Sequence, residues 1–62
     1  MTEYQNLPND PAMLLSFVNT QLRDNYPSFS ELVAAFHADA DAITEKLKII
    51  DYEYDETQNQ FV

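Results

Sequence analysis

The spacing of the apolar residues changes near residue 50, and this change restricts the fold more than any other feature of the sequence. Before it, apolar side chains recur every three or four residues in three separate stretches, which is typical of amphipathic α-helices. After it, Ile50, Tyr52 and Tyr54 alternate with acidic residues, which is typical of a strand with one buried face. The pattern therefore predicts a mostly α fold, in which three helices precede a C-terminal two-stranded β-hairpin.

The first helix is bounded by a capping signal and a proline. Asn9 or Asp10 can cap its N-terminus, and Pro11 suits the first helical position because it has no N–H group to leave unpaired. Pro27 disfavours helical geometry in the residue before it. These signals predict a helix near residues 10–24.

Two further capping signals predict the second and third helices. Ser28 and Glu31 have the spacing of a capping box, which predicts a helix over residues 28–37. Asp39 can cap a third helix over residues 39–49. The residues expected to form the core lie on the apolar stripes of the three helices: Leu14, Phe17, Val18, Leu22, Leu32, Val33, Phe36, Ile43 and Leu47.

The hairpin is expected to pair residues 50–54 with residues 60–62 across a polar turn. Because the chain contains no glycine, Asn59 is the turn residue best suited to a left-handed conformation. An isolated two-stranded ribbon is marginal in water, so the hairpin must pack on the helices. The aromatic residues expected to provide that packing are Tyr52, Tyr54 and Phe61.

Length and composition exclude several classes of protein. A chain of 62 residues is expected to form one small domain over residues 1–62, with residues 1–8 as a flexible arm from which Tyr4 and Leu7 can dock. The absence of cysteine and glycine removes disulfides, thiolate metal sites and glycine-rich phosphate loops. No apolar run is long enough to span a bilayer, and the polar N-terminus does not resemble a signal peptide. We therefore expect a cytoplasmic protein that does not bind membranes.

Residues 28–50 look like a helix-turn-helix motif. The apolar and capping residues that fall where this motif places them are Leu32, Val33, Phe36, Ala38, Asp39, Ile43 and Leu47. His37 stands where the motif usually has glycine, and histidine tolerates a left-handed backbone better than most residues. With the hairpin that follows, the resemblance implies a winged-helix-like domain.

A second resemblance covers most of the chain. The segments that carry it are residues 6–19, 22–24, 26–28, 52–55 and 59–62, which include Asn9-Asp10-Pro11, Tyr26-Pro27-Ser28 and Asn59-Gln60-Phe61-Val62. They resemble a family of short bacterial proteins known as a domain of unknown function (DUF4250). This resemblance implies relatives but no activity, substrate or catalytic residues.

The residues that could carry catalysis or bind metal have simpler structural explanations. His37, Asp39 and Asp41 could form a carboxylate–histidine metal site, although a turn histidine beside two helix-start acids is the simpler interpretation. A second acidic group consists of Asp51, Glu53, Asp55 and Glu56. That group lacks the glycine and the final acid of a calcium-binding loop, so a solvated strand face is expected. We expect no catalytic residues, metal, cofactor or small-molecule substrate, and hence no enzyme.

Two functions remain, and the charge of the chain favours one of them. A DNA-binding transcription regulator would use the helix-turn-helix, but the formal net charge is -8, and residues 39–62 carry seven acids against two lysines. Such a surface repels phosphates, so nucleic acid is an unfavourable partner. The alternative is a protein–protein interaction module that binds a protein partner or self-associates. Its candidate partner surface is Met13, Phe17, Tyr52 and Tyr54, although these side chains could equally close a small core.

Overall fold

The computed structural model describes residues 7–62. Three helices are followed by a two-stranded antiparallel sheet, and their bounds are α1 (Pro11–Asp24), α2 (Phe29–Phe36), α3 (Ala40–Lys48), β1 (Tyr54–Asp55) and β2 (Gln60–Phe61). This order confirms the expected three helices and C-terminal hairpin, and it is consistent with a winged-helix-like layout. No helix among the described residues is long and apolar enough to cross a membrane.

Each helix begins at the capping residue that the sequence indicates. The Asp10 carboxylate accepts a hydrogen bond from the N–H group of Met13 (3.1 Å), with Pro11 in the first turn. The Ser28 hydroxyl accepts one from the N–H group of Glu31 (3.2 Å). At α3, the capping carboxylate is that of Asp39. These side chains satisfy N–H groups that have no partner within the helix.

The turns that follow the second and third helices each contain a residue with a left-handed backbone. His37 follows α2 with φ 53°, and the N–H group of Ala38 donates to the Val33 carbonyl (3.0 Å). Asp51 follows α3 with φ 66°, and the N–H group of Tyr52 donates to the Leu47 carbonyl (3.0 Å). Both ends have the hydrogen-bond pattern of a Schellman motif. The predicted left-handed backbone of His37 is confirmed. The left-handed backbone of Asp51 was not predicted.

The left-handed Asp51 also corrects the predicted start of the first strand. Residues 50–52 belong to the terminal turn of α3, because the N–H groups of Asp51 and Tyr52 bond back to carbonyls of that helix. Strand pairing begins only at Glu53, which exchanges two hydrogen bonds with Val62, and continues with Tyr54 opposite Phe61. The prediction that residues 50–54 pair with residues 60–62 was therefore wrong for residues 50–52.

The core includes one aromatic residue of the hairpin, Phe61, which is its largest fully buried side chain. The buried side chains are Leu14, Val18, Leu22, Leu32, Ile43, Leu47 and Phe61. Three residues predicted for the core are only half-buried and pack around it: Phe17, Val33 and Phe36. Phe61 is 1 % exposed, and its ring centroid lies 5.1 Å from that of Phe29. The hairpin is thus an integral part of the core.

The predicted flexible arm is only partly covered by the structure. Leu7 packs against the core, as expected of a docking residue. The expectation for residues 1–6, including Tyr4, lies outside the described residues.

Candidate functional site

Met13 and Phe17, the first half of the candidate partner surface, lie one turn apart on α1. The Met13 side chain is 63 % exposed and is available to a partner. The Phe17 side chain is half-buried, and its ring meets that of Phe36 edge-on at 5.5 Å. Met13 is therefore the accessible member of this pair, while Phe17 also supports the fold.

Tyr52 and Tyr54, the second half of that surface, are both half-buried, but they differ in their contacts with the rest of the fold. The Tyr54 hydroxyl donates to Oδ1 of Asn59 (2.6 Å) and accepts from the N–H group of Phe29 (3.3 Å). The Tyr54 ring also packs on Phe61, with centroids 5.4 Å apart. Tyr52 is half-buried against the core. Tyr54 thus has a structural role in holding the hairpin on the helices.

Two exposed apolar side chains were not among the predicted site residues. Ile49 is 73 % exposed and Val62 is 47 % exposed. Ile49 follows α3 and lies off the apolar line formed by Ile43, Leu47 and Ile50, so the helical spacing could have identified it as outward-facing. Val62 follows the inward-facing Phe61, so strand alternation could have identified it as outward-facing too.

The surface that a winged helix would present to a nucleic acid carries mostly carboxylates. Asp41 and Glu45 are exposed on α3, and Glu53 and Glu56 are exposed on the hairpin. Lys46 points elsewhere, because its Nζ donates to the Asn9 carbonyl (3.3 Å). The exposed side chains of α3 and the hairpin therefore carry net negative charge, because Asp41, Glu45, Glu53 and Glu56 outnumber the exposed Lys48.

The pKa shifts that the structure shows occur at the end of α1 and in the hairpin. Hydrogen bonds from Arg23 lower the pKa of Asp24, and the same contact, 2.9 Å between Nε and Oδ1, raises the pKa of Arg23. A hydrogen bond from the Gln58 side chain lowers the pKa of Asp55, helped by the N–H group of Thr57. Asp55 therefore acts as a charged acceptor that orders the hairpin turn.

The proposed metal-ligand residues serve as helix-terminal groups. His37 ends α2, and the Asp39 carboxylate caps α3 by accepting from the N–H groups of Asp41 (3.0 Å) and Ala42 (3.4 Å). Within residues 7–62, no group of three or more histidine, cysteine or acidic side chains is placed to hold a metal ion.

Two surface depressions accompany these features. One, of about 370 Å³, is mainly apolar and lies between the segment before α1 and the α2–α3 turn, with Leu7, Phe36 and Ile43 among its lining residues. The other, of about 630 Å³, is open and polar, and lies along β1 with Glu53 and Asp55 in its lining. Leu7, expected from the sequence as a docking residue, forms part of the lining of the first depression.

Comparison with known proteins gives a family but no activity. The family model described as a domain of unknown function (DUF4250) matches residues 8–61. The match runs from the segment before α1 to the last residue of β2, and it confirms the resemblance seen in the sequence. No curated protein and no solved structure matches the chain.

Proposed function

Because the chain belongs to the DUF4250 family, which has no assigned activity, we propose from its surface that it is a non-enzymatic protein–protein interaction module. The observation that carries this proposal is the acidic outward face of α3 and the hairpin. In a helix-turn-helix protein that reads DNA, the same face presents donors to base edges and cations to phosphates. Here it presents Asp41, Glu45, Glu53 and Glu56, which favour a partner with a basic surface.

Exposed apolar groups provide a second source of affinity. Met13 on α1 is well exposed, and Phe17 lies beside it with part of its ring accessible. Methionine and aromatic side chains are enriched at protein interfaces because they bury large apolar areas. The module thus combines an apolar flank on α1 with the acidic hairpin. A foreign basic protein fits this charge better than a second copy, since two copies repel each other.

DNA binding is the alternative function, and the geometry of residues 28–50 favours it. The α2–α3 connection spans three residues and includes left-handed His37, which is the length expected of a helix-turn-helix. Fluorescence anisotropy with labelled random and genomic duplexes at about 50 mM salt tests this alternative, because phosphate contacts strengthen as salt falls. We expect no binding. Submicromolar, sequence-selective binding by the isolated chain would replace the interaction module with a transcription regulator.

The protein-interaction proposal is tested with a purified partner. Affinity capture on the chain identifies candidates, and isothermal titration with each purified candidate measures binding directly. We expect Met13→Ser to weaken binding by roughly fivefold or more, as truncation of an interface anchor does. Ile49→Ser is the matched control, because it removes an apolar side chain of similar exposure at the end of a different helix. Equal effects of the two variants would argue against the α1 flank as the contact.

A further inference from the structure

The two outer edges of the hairpin differ in what covers them. On β2, the amide of Asn19 pairs with the backbone of Phe61 as a neighbouring strand would. The N–H group of Phe61 donates to Asn19 Oδ1 (2.8 Å), and Asn19 Nδ2 donates to the Phe61 carbonyl (3.1 Å). The outer edge of β2 is therefore closed by a side chain from α1.

The outer edge of β1 has no such cover. Glu53 and Val62 exchange both backbone hydrogen bonds, at 2.9 and 2.8 Å, so the next pair, Tyr54 and Phe61, is a non-hydrogen-bonded pair. The N–H and C=O groups of Tyr54 consequently face away from β2. Within the described part of the chain, no group forms a hydrogen bond with them. They are free to pair with an added strand.

The side chains beside this edge are strongly acidic. Glu53 and Asp55 project from the face of β1 opposite to Tyr54, because successive side chains of a strand alternate. Together with Asp51, Glu56 and Lys48, they line the open depression of about 630 Å³ along β1. Four carboxylates thus stand against one ammonium group.

We propose that the outer edge of β1 binds an extended segment of another protein in which lysine or arginine alternates with apolar residues. The segment adds as a third strand, and this inference rests on the proposed function as an interaction module. Its backbone pairs with Tyr54, its cations face Glu53 and Asp55, and its apolar side chains lie on the same face as Tyr54 and Phe29.

Charge selects this occupant over a second copy of the chain. Pairing two β1 edges would bring Glu53 and Asp55 of one copy against the acidic residues of the other, and like charges on neighbouring strands are destabilising. The same acids attract a basic strand. The edge therefore rejects self-pairing while remaining open to a segment of opposite charge.

The test uses a synthetic peptide of three Lys-Val repeats and the full chain labelled with ¹⁵N. We expect saturable shifts at the amides of Glu53, Tyr54 and Asp55, and roughly tenfold or greater slowing of hydrogen exchange at the Tyr54 amide. The acidic counterpart, three Glu-Val repeats, should not bind. Absence of binding by the Lys-Val peptide, or shifts confined to other elements, overturns the inference.

Methylated peptides separate strand addition from attraction by charge alone. In an antiparallel third strand, the residues directly opposite Tyr54 are valines, so N-methylation of the valines should abolish binding. N-methylation of the lysines, whose N–H groups face outward, should leave it intact. In a parallel third strand, the lysine N–H groups would face Tyr54 instead, so methylation of the lysines would abolish binding. Loss of binding with only one of the two methylated peptides therefore supports backbone pairing. Equal behaviour of both peptides overturns it.

Charge-reversed variants separate this inference from the proposed function. Glu53→Lys with Glu56→Lys should weaken peptide binding roughly tenfold, because each exposed ion pair contributes up to a few-fold in affinity. Asp24→Lys with Glu31→Lys changes the net charge equally but lies on α1 and α2, outside the acidic face, and should weaken it less. If a purified partner binds and is insensitive to the hairpin variant, the strand-edge inference fails while the interaction module stands. If no purified partner binds although the peptide does, the proposed function fails instead.

Discussion

The α2–α3 turn and the hairpin turn place a non-glycine residue in the same left-handed conformation, but they stabilise it differently. His37 has φ 53° and Asn59 has φ 54°. At His37, the N–H group of the next residue, Ala38, bonds to the Val33 carbonyl, which is part of the preceding helix. At Asn59, the side-chain amide donates to the carbonyls of Leu22 (3.1 Å) and Tyr26 (3.0 Å), which are distant in sequence.

The difference shows which turn depends on distant parts of the fold. The backbone hydrogen bonds that close the α2–α3 turn join residues within five positions of one another. The hairpin turn needs α1 and the loop after it to be in place, because its anchors span 33 and 37 residues. We therefore expect variants at the hairpin to affect the whole domain and variants at the helix termini to have modest effects.

The largest effect is expected from Phe61→Ala, which removes the aromatic ring on which the hairpin depends. Loss of a fully buried phenylalanine lowers the free energy of unfolding by about 3–5 kcal/mol. A small domain has little more stability than this in total, so the variant should be largely unfolded. Urea titration followed by circular dichroism measures the change. Phe36→Ala, at a half-buried position, is the control and should lose less. Equal losses would contradict the greater burial of Phe61.

The next largest effect is expected from Asn59→Gly. Glycine accepts the left-handed backbone but loses the two carbonyl contacts and the hydrogen bond from the Tyr54 hydroxyl, which should lower the free energy of unfolding by about 2–3 kcal/mol. His37→Gly is the matched control. There, glycine adopts the left-handed backbone without steric cost, so the change should stay within about 1 kcal/mol. Equal losses in the two variants would remove the distinction between the turns.

His37→Val tests the left-handed backbone of the α2–α3 turn directly. A β-branched residue fits the left-handed region poorly, so the free energy of unfolding should fall by about 1–2 kcal/mol. His37→Asn, which tolerates this region, should retain near-native stability. Thermal unfolding of both variants measures the contrast. If valine were tolerated as well as asparagine, the backbone assigned to His37 would be wrong.

A smaller effect is expected from Ser28→Ala, which removes the hydroxyl that caps α2. Loss of the hydrogen bond to the Glu31 N–H group should lower the free energy of unfolding by about 1 kcal/mol. Ser30→Ala is the matched control, since Ser30 is exposed within α2 and is not its capping residue. Chemical denaturation compares them. At matched stability, Ser28→Ala should bind the partner normally, and abolished binding would give Ser28 a functional role.

The smallest effect concerns the pH dependence of the hairpin turn. The pKa of Asp55 is lowered by the Gln58 side chain and the Thr57 N–H group in the folded chain. A lowered pKa means that this stabilisation is present above the ordinary value and is lost as pH falls through the folded value. Carboxyl titration by nuclear magnetic resonance should show Asp55 titrating below its ordinary value, and Gln58→Ala should shift the pKa upwards. An unchanged pKa in Gln58→Ala would exclude the side-chain bond as the cause.

Tertiary structure changed the interpretation of the candidate site more than that of the helices. Met13 was predicted on a flank of α1 and is exposed there, because helical spacing alone distinguishes inward from outward positions. Tyr54 was predicted for the same partner surface, yet its hydroxyl and ring are held by Asn59, Phe29 and Phe61. Strand alternation indicates which face a tyrosine occupies, but not which distant groups meet it. The open edge of β1 likewise follows only from the pairing register.

The sequence by itself determined the three helix starts, the left-handed residues His37 and Asn59, and the order of helices and hairpin. These features depend on groups a few residues apart, and the absence of glycine narrows the choice of turn residue. Only the tertiary structure decided where β1 begins, that Phe61 is fully buried, and that Asn19 closes one sheet edge while the other stays open. Those features depend on hydrogen bonds and packing between residues up to 42 positions apart, and a spacing pattern contains no information about such distant partners.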